Sequence, residues 1–372
     1  MKFTASKESL LRVLSVAQEV INNKSPISIL SNVLLEADKK AGKVVVKCTN
    51  STVSAVTSFS ASVEEDGETT VFCDKLTGIV SALPHGEIVF EKKENELIVS
   101  PLAKKVKFKV KCLATDKFPE VVGFNEENAL KVSAEELKKM IGQTIFAVAD
   151  DTSRYFMTGV YLCKKDGKMA MVATDGRRLS YCLYNGAVPE FAPIIIPTKI
   201  LSIISKLCPD EGEVSIKPAE KQFYFKGSGF ELSTSLIEGQ YPKWEKVLPS
   251  GLDKTITVSK SDLEDAMKRA GLMSDKNGRI NISIEKGKMF ISSPESEIGS
   301  SKEEIAAAYQ DGSVELPLNA RYLSDVLKVI DKDDVSLDFK LGQDGKTQGA
   351  IVARAAGDEK PNYTHVIMPM SA

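Results

Sequence analysis

Phe3-Thr-Ala-Ser-Lys-Glu-Ser-Leu-Leu-Arg-Val-Leu14 decides the fold, because the chain writes this stretch three times. It returns as Lys131-Val-Ser-Ala-Glu-Glu-Leu-Lys-Lys-Met-Ile141 and as Thr257-Val-Ser-Lys-Ser-Asp-Leu-Glu-Asp-Ala-Met267. Each copy has a short extended run, then a serine (Ser6, Ser133, Ser259), then a leucine four places on (Leu10, Leu137, Leu263). The leucines stand 127 and 126 residues apart. A period of that length is a whole domain, not a solenoid unit.

Outward from each serine the apolar residues follow a helical spacing, as in Leu10, Val13, Leu14 and Ala17. The serine and the acidic residues after it favour a helix start. A second helix repeats in phase with stripes Leu76/Ile79/Val80/Leu83, Ile200/Ile203/Ile204/Leu207 and Leu323/Val326/Leu327/Ile330. Asp74, Thr198 and Asn319 are the expected caps. Between the helices the period drops to two: Val44–Val46, Ile88–Phe90, Val106–Val110, Met169–Val172, Phe223–Phe225, Ile280–Ile284 and Val335–Phe339 read as strands. They are short and turn-linked, which favours antiparallel pairing. The expected fold is therefore α+β: three modules, 1–124, 125–252 and 253–372, each two helices packed on antiparallel sheet.

Length and composition agree. The chain has 372 residues, 42% hydrophobic and 27% charged, which suits packed cores. A net charge of −2 excludes a uniformly basic nucleic-acid binder but not a local basic surface. The modules carry net charges of +2, 0 and −4, a polarity that suits head-to-tail association. The six cysteines form no C-x-x-C pair and read as buried reduced thiols. No run approaches the ~20 apolar residues of a membrane span, and Lys7, Glu8 and Arg12 break any signal-peptide core, so the expected location is the cytoplasm.

Catalytic and metal motifs do not emerge. His85 and His365, the two histidines, have no ligand-spaced neighbours and read as solvated or rim residues. Gly342-Gln-Asp-Gly-Lys-Thr347 lacks the first glycine of a phosphate loop, since Lys340 stands there, and reads as a hairpin turn. Gly227-Ser-Gly229 is too short for a dinucleotide fingerprint, and Asp150-Asp151 and Asp331–Asp334 read as surface turns. No cofactor or metal is expected. Three stretches keep two readings. Lys105–Cys112, with lysine at every second place, is either a guarded sheet edge or an edge that pairs with an acidic strand near Glu295–Glu304 of another subunit. Thr174-Asp-Gly-Arg-Arg-Leu179 is either a solvated loop or a site. Val366-Ile-Met-Pro-Met370 is either a final core strand or a Met-lined groove for apolar peptides.

Taken together, Met1-Lys-Phe-Thr4, Pro26–Leu35, Arg154-Tyr155, Ala173–Leu179, Tyr241-Pro242, Val247-Leu-Pro249 and Val366–Met370 closely resemble the bacterial β sliding clamp family, the processivity subunits of DNA polymerase III. The resemblance spans the whole chain. It implies a non-catalytic DNA sliding clamp: a ring-shaped head-to-tail homodimer that encircles duplex DNA without reading its sequence. The partners it implies are the replicative DNA polymerase catalytic subunit, the clamp loader and other clamp-binding-motif proteins. A hydrolase or nucleotide-binding enzyme on an α+β scaffold is the alternative.

By the same resemblance, a partner-peptide pocket comprises Arg154, Tyr155, Met157, Thr174, Gly176, Arg177, Arg178, Leu179, Pro242, Lys246, Val247, Tyr322, Val366, Met368, Pro369 and Met370, with an apolar floor and a basic, hydrogen-bonding rim. Lys107, Phe108, Lys109 and Val110 would meet Leu272, Met273, Glu303 and Glu304 across the dimer joint, and Lys24 and Lys199 would face DNA. The family often has histidine where Arg177 stands, arginine where Lys246 stands and a basic residue after the final Met-Pro-Met, where this chain has Ser371-Ala372.

Overall fold

The computed structural model describes residues 1–21, 28–297, 299–342, 347–357 and 361–370. Most of the 342–347 turn and Lys24 lie outside the described residues. Six α-helices are seen among them: α1 (Lys7–Val20), α2 (Cys73–Ala82), α3 (Ala134–Gly142), α4 (Thr198–Leu207), α5 (Lys260–Gly271) and α6 (Ala320–Leu327). They fall where the two phased stripes put them.

The repeated serines act as expected. Ser6 caps α1 by accepting the N–H of Ser9, and Ser259 caps α5 by accepting that of Asp262. Such caps contribute about 1 kcal/mol each. The lysine after each of these serines has a second task. Lys7 donates to the carbonyls of Ser81 and Leu83, and Lys260 donates to that of Ile330, so each ties its first helix to the end of the second. The middle copy has buried Ala134 at that position. Asn319 caps α6 through the N–H groups of Arg321 and Tyr322. Asp74 and Thr198 are not caps: Phe72 and Pro197 hold those positions, and Asp74 sits in the first turn, where a carboxylate still favours the helix dipole.

By contacts the chain forms two compact units, 1–138 with 188–236, and 139–187 with 237–372, so the middle copy contributes strands to both. The first unit holds a thirteen-stranded antiparallel sheet. Within it Phe230–Ser235, the last strand of the middle copy, pairs with Val53–Ser60, the fourth strand of the first, in the register Phe230↔Thr57 and Thr234↔Val53. Beneath it lie Leu10, Val13, Leu14 and Ala17 of α1, all buried, and Phe3 stacks on Phe90 at 4.7 Å.

In the second unit the same rule recurs. Tyr363–Ile367, the last strand of the third copy, pairs with Arg178–Leu183, the fourth strand of the middle copy, in the register Arg178↔Ile367 and Ser180↔His365. A second sheet in this unit runs Lys302–Ala306, Lys288–Ser292, Arg279–Glu285, Val314–Asn319.

Two strands break the rule. Phe108–Leu113, the last strand of the first copy, pairs with Glu96–Pro101 and meets Gly67–Phe72 only at Cys112 and Leu113, leaving its edge open from Phe108 to Lys111 among the described residues. Lys302–Ala306, the fourth strand of the third copy, pairs only with Lys288–Ser292 among the described residues. The expected strand start at Lys105 is late by three residues, because the Val106 N–H folds back onto the Lys104 carbonyl. The acidic stretch is likewise not one strand: Ser296 and Gly299 bond each other's backbone in a turn, and extension begins at Lys302.

Candidate partner-binding site

All of the expected pocket residues fall inside the second unit. Three of its most exposed large hydrophobic side chains are among them: Tyr155 (52% exposed), Val247 (55%) and Met368 (44%). An apolar surface that the fold leaves uncovered is what a docking floor requires.

The turn 174–178 is built first by its own side chains. Thr174 Oγ1 donates to the Arg178 carbonyl, and the Gly176 N–H donates back to Thr174 Oγ1. Asp175 Oδ1 accepts the N–H groups of Arg177 and Arg178. Gly176 has φ +84°, a backbone conformation that calls for glycine, and a Cβ there would stand 2.8 Å from Arg154 Nη1 and push that guanidinium aside. The Thr174 N–H donates to the hydroxyl of Tyr241, whose ring stacks on Tyr161 at 4.5 Å. Burial pushes the Tyr241 phenol well above its usual range.

The C-terminal segment closes the site. Leu179 lies opposite Val366 in the sheet, the Met368 N–H donates to the Arg177 carbonyl, and the Met370 N–H donates to Pro317. The core-strand reading of Val366–Met370 holds for Val366 and Ile367, which are buried strand, while Met368 beyond them is exposed. Lys246 and Val247 ride on a short 3-10 turn, Trp244–Val247, anchored by the buried ring of Trp244 against Tyr181 and under the Lys165 ammonium.

Arg178 is not a rim residue. Only 4% of its side chain is exposed. Its Nε bonds Asp175, its Nη1 bonds Asp325 at 2.9 Å, and its Nη2 bonds the Phe146 carbonyl at 2.6 Å. The exposed cations among the expected pocket residues are Arg154, Arg177 and Lys246. His365 also departs from the solvated reading. It is fully buried between Ser180 Oγ and Gln143 Oε1, each 2.9 Å away, and burial drives its pKa down to about 3. Sequence reasoning missed this network and Asp325. The one available signal was the Tyr322–Asp325 spacing, which puts both on one helix face.

Known proteins match along the whole chain. Three family profiles align in order: the N-terminal, central and C-terminal domains of the DNA polymerase III beta subunit, at residues 1–122, 131–243 and 245–371. A beta sliding clamp of Treponema pallidum is 37% identical over 100% of this chain and 99% of its own length. That of Pseudomonas aeruginosa is 29% identical over 100% of both. A crystal structure of the P. aeruginosa beta subunit superposes with a TM-score of 0.91 at 27% identity, covering both chains fully, and another from that organism is bound to griselimycin.

The chain belongs to the β sliding clamp family.

It is accordingly a DNA sliding clamp with three clamp domains, a non-catalytic processivity factor, and the enzyme alternative has no support. No described helix is long and apolar enough to cross a membrane.

The residues expected at a dimer joint lie on or near the strands Phe108–Leu113 and Lys302–Ala306 and at the end of α5. Phe108 and Val110 are half-buried, and Leu272, after α5, is 78% exposed. Three of the four expected charges are already engaged within the chain. Lys109 pairs with Glu96, Arg269 grips Glu303 with two bonds and holds its carboxyl below the usual range, and Lys288 pairs with Glu304. Lys107 lies just ahead of its strand and is exposed. Lys199 is exposed in the first turn of α4.

Proposed function

We propose that two copies of this chain close head to tail into a ring of six modules, bounded in each chain at 1–124, 125–252 and 253–372, with duplex DNA passing through the hole. The observation that carries this is the pairing rule. Twice within the chain a last strand joins a fourth strand of the preceding copy. One last strand, Phe108–Leu113, and one fourth strand, Lys302–Ala306, keep open edges. A second chain supplies each with its missing neighbour, and two such joints close the ring with both of these edges paired. Apolar contact of Phe108 and Val110 with Leu272 and Met273 seals each joint.

The function is then topological. Retention comes from linkage, so the hole needs only weak, salt-dependent attraction to phosphates, to which Lys199 and Lys24 contribute. Base contacts would oppose sliding and are not required. The near-neutral net charge fits this division of labour. The replicative polymerase, the clamp loader and other clamp-binding-motif proteins dock short peptides on the floor of Tyr155, Val247 and Met368, under the cations of Arg154, Arg177 and Lys246. We place this activity in the cytoplasm.

The test uses the full chain with its clamp loader and ATP. After loading on nicked circular duplex, the clamp stays bound until a restriction enzyme linearises the DNA, then runs off the ends. Equal retention on circular and linear DNA would refute topological linkage.

A further inference from the structure

We propose that Asp325, a residue set back from the peptide floor, is a positioning residue for partner-peptide binding and acts through Arg178. The inference rests on the pocket reading above and deepens it.

The geometry is a wedge. Asp325 and Tyr322 stand three residues apart on α6 and so share a face. The Arg178 guanidinium fits against both: its Nη1 bonds Asp325 Oδ2 at 2.9 Å, and its central carbon lies 4.6 Å from the centre of the Tyr322 ring. A planar cation held by a carboxylate at one end and a ring face at the other has one orientation. Arg178 is also the residue that ends the 174–178 turn, with its carbonyl accepting from Thr174 and its Nε bonding Asp175. Asp325 thereby sets two parts of the pocket at once, the ring of Tyr322 and the turn that carries Gly176 and Arg177.

Each nitrogen of Arg178 already has an acceptor within the chain, and only 4% of the side chain is exposed, which leaves it little reach to a ligand. Its contribution to binding is therefore indirect. Asp325 itself is largely covered, and its remaining contacts, Arg321 at 3.8 Å and Lys328 at 3.1 Å, lie on its own helix or just beyond it. Without the carboxylate, the guanidinium loses its anchor on α6, and the Tyr322 ring loses the cation that covers one face.

The test measures Kd for a fluorescein-labelled peptide carrying the clamp-binding segment of the cognate polymerase, in one form with a carboxylate beside the segment and one without. Asp325→Ala is expected to weaken both forms equally, by about tenfold, with the dimer intact by sedimentation. In an Arg178→Lys background the same change is expected to add nothing, because the two act in series. Asp325→Asn, which keeps the shape, is expected to weaken binding in the same direction by less and stands in if the alanine variant does not fold. Wild-type affinity in both Asp325 variants, or fully additive losses with Arg178→Lys, would overturn the proposal. Loss confined to the peptide bearing the carboxylate would make Asp325 part of the charge field rather than a positioning residue and would overturn it too. A wild-type chain that does not bind the peptide would instead overturn the pocket reading on which the proposal rests.

Discussion

His365 Nε2 lies 2.9 Å from Gln143 Oε1, and that contact sets the protonation of a fully buried imidazole. The Gln143 amide nitrogen already donates to the Val329 carbonyl, so its oxygen faces the ring and can only accept. Nε2 therefore carries the proton, and Nδ1 accepts from the Ser180 hydroxyl. A second proton would have to enter a site with no carboxylate against the ring. The folded-state pKa near 3 lies below the unfolded value of about 6.5. Between those values the unfolded chain binds the extra proton, so this group lowers stability as pH falls below about 6.5, by up to about 1.4 kcal/mol per unit, and contributes nothing above it. His365→Leu strands Gln143 Oε1 and the Ser180 hydroxyl and is expected to cost about 2–4 kcal/mol at pH 7.5. The gap between wild type and variant should narrow as pH is lowered to 5. Urea unfolding at three pH values checks this, and a constant gap would contradict it.

The repeat made most of the fold legible. Ser6 and Ser259 cap helices where the spacing placed them, and every two-residue period marked a strand. What stayed hidden depended on contacts distant in sequence. Nothing around His365 tells that Ser180 and Gln143 enclose it, because strand register brings the first and a helix end the second. Arg178 and Arg177 look alike in sequence, yet Arg177 stays exposed in the turn while Arg178, the first residue of the strand, is buried against Asp175, Asp325 and the Phe146 carbonyl. The lysine alternation from Lys105 was genuine in pattern, but a local turn at Lys104–Val106 shortened the strand it implied.

Gly176 offers a sharp local test. Its φ of +84° is open to glycine, and the space a Cβ would fill belongs to Arg154. Gly176→Ala should cost about 1–2 kcal/mol of turn strain and displace the Arg154 guanidinium. The expected result is peptide binding weakened by about tenfold, with the melting temperature lowered by only a few degrees. Calorimetric titration beside a thermal scan separates the two effects, and unchanged affinity would remove Arg154 from the site.

Of the four charges expected at the proposed dimer joint, Lys109, Glu303 and Glu304 already have partners within their own chain, and Lys107 is exposed. Lys109 holds Glu96, and Glu303 is held by Arg269. Reversing Lys107 and Lys109 should therefore raise the dimer dissociation constant by only a few fold at low salt, with the effect fading as salt screens it. Replacing Phe108 and Val110 with alanine removes apolar area and is expected to raise it by more than tenfold. Sedimentation equilibrium across a salt series distinguishes them. A larger effect from the lysines would reverse the assignment of what seals the joint.

The C-terminal segment gives the most direct test of the docking floor. The Met368 N–H is anchored on Arg177 and the Met370 N–H on Pro317, while Tyr363–Ile367 before them is locked into the sheet by five paired positions. Deleting residues from Met368 onward should thus remove one wall of the floor and leave that strand in place. Trp244, the only tryptophan in the chain, sits under the turn that carries Val247 and reports on the site. Peptide should change its emission in the wild type. In the truncated chain the starting spectrum should be nearly the same, peptide should leave it unchanged, and the dimer should persist. Retained peptide affinity would move the docking floor away from Met368, and a shifted starting spectrum would show that the deletion disturbs the Trp244 anchor as well as the wall.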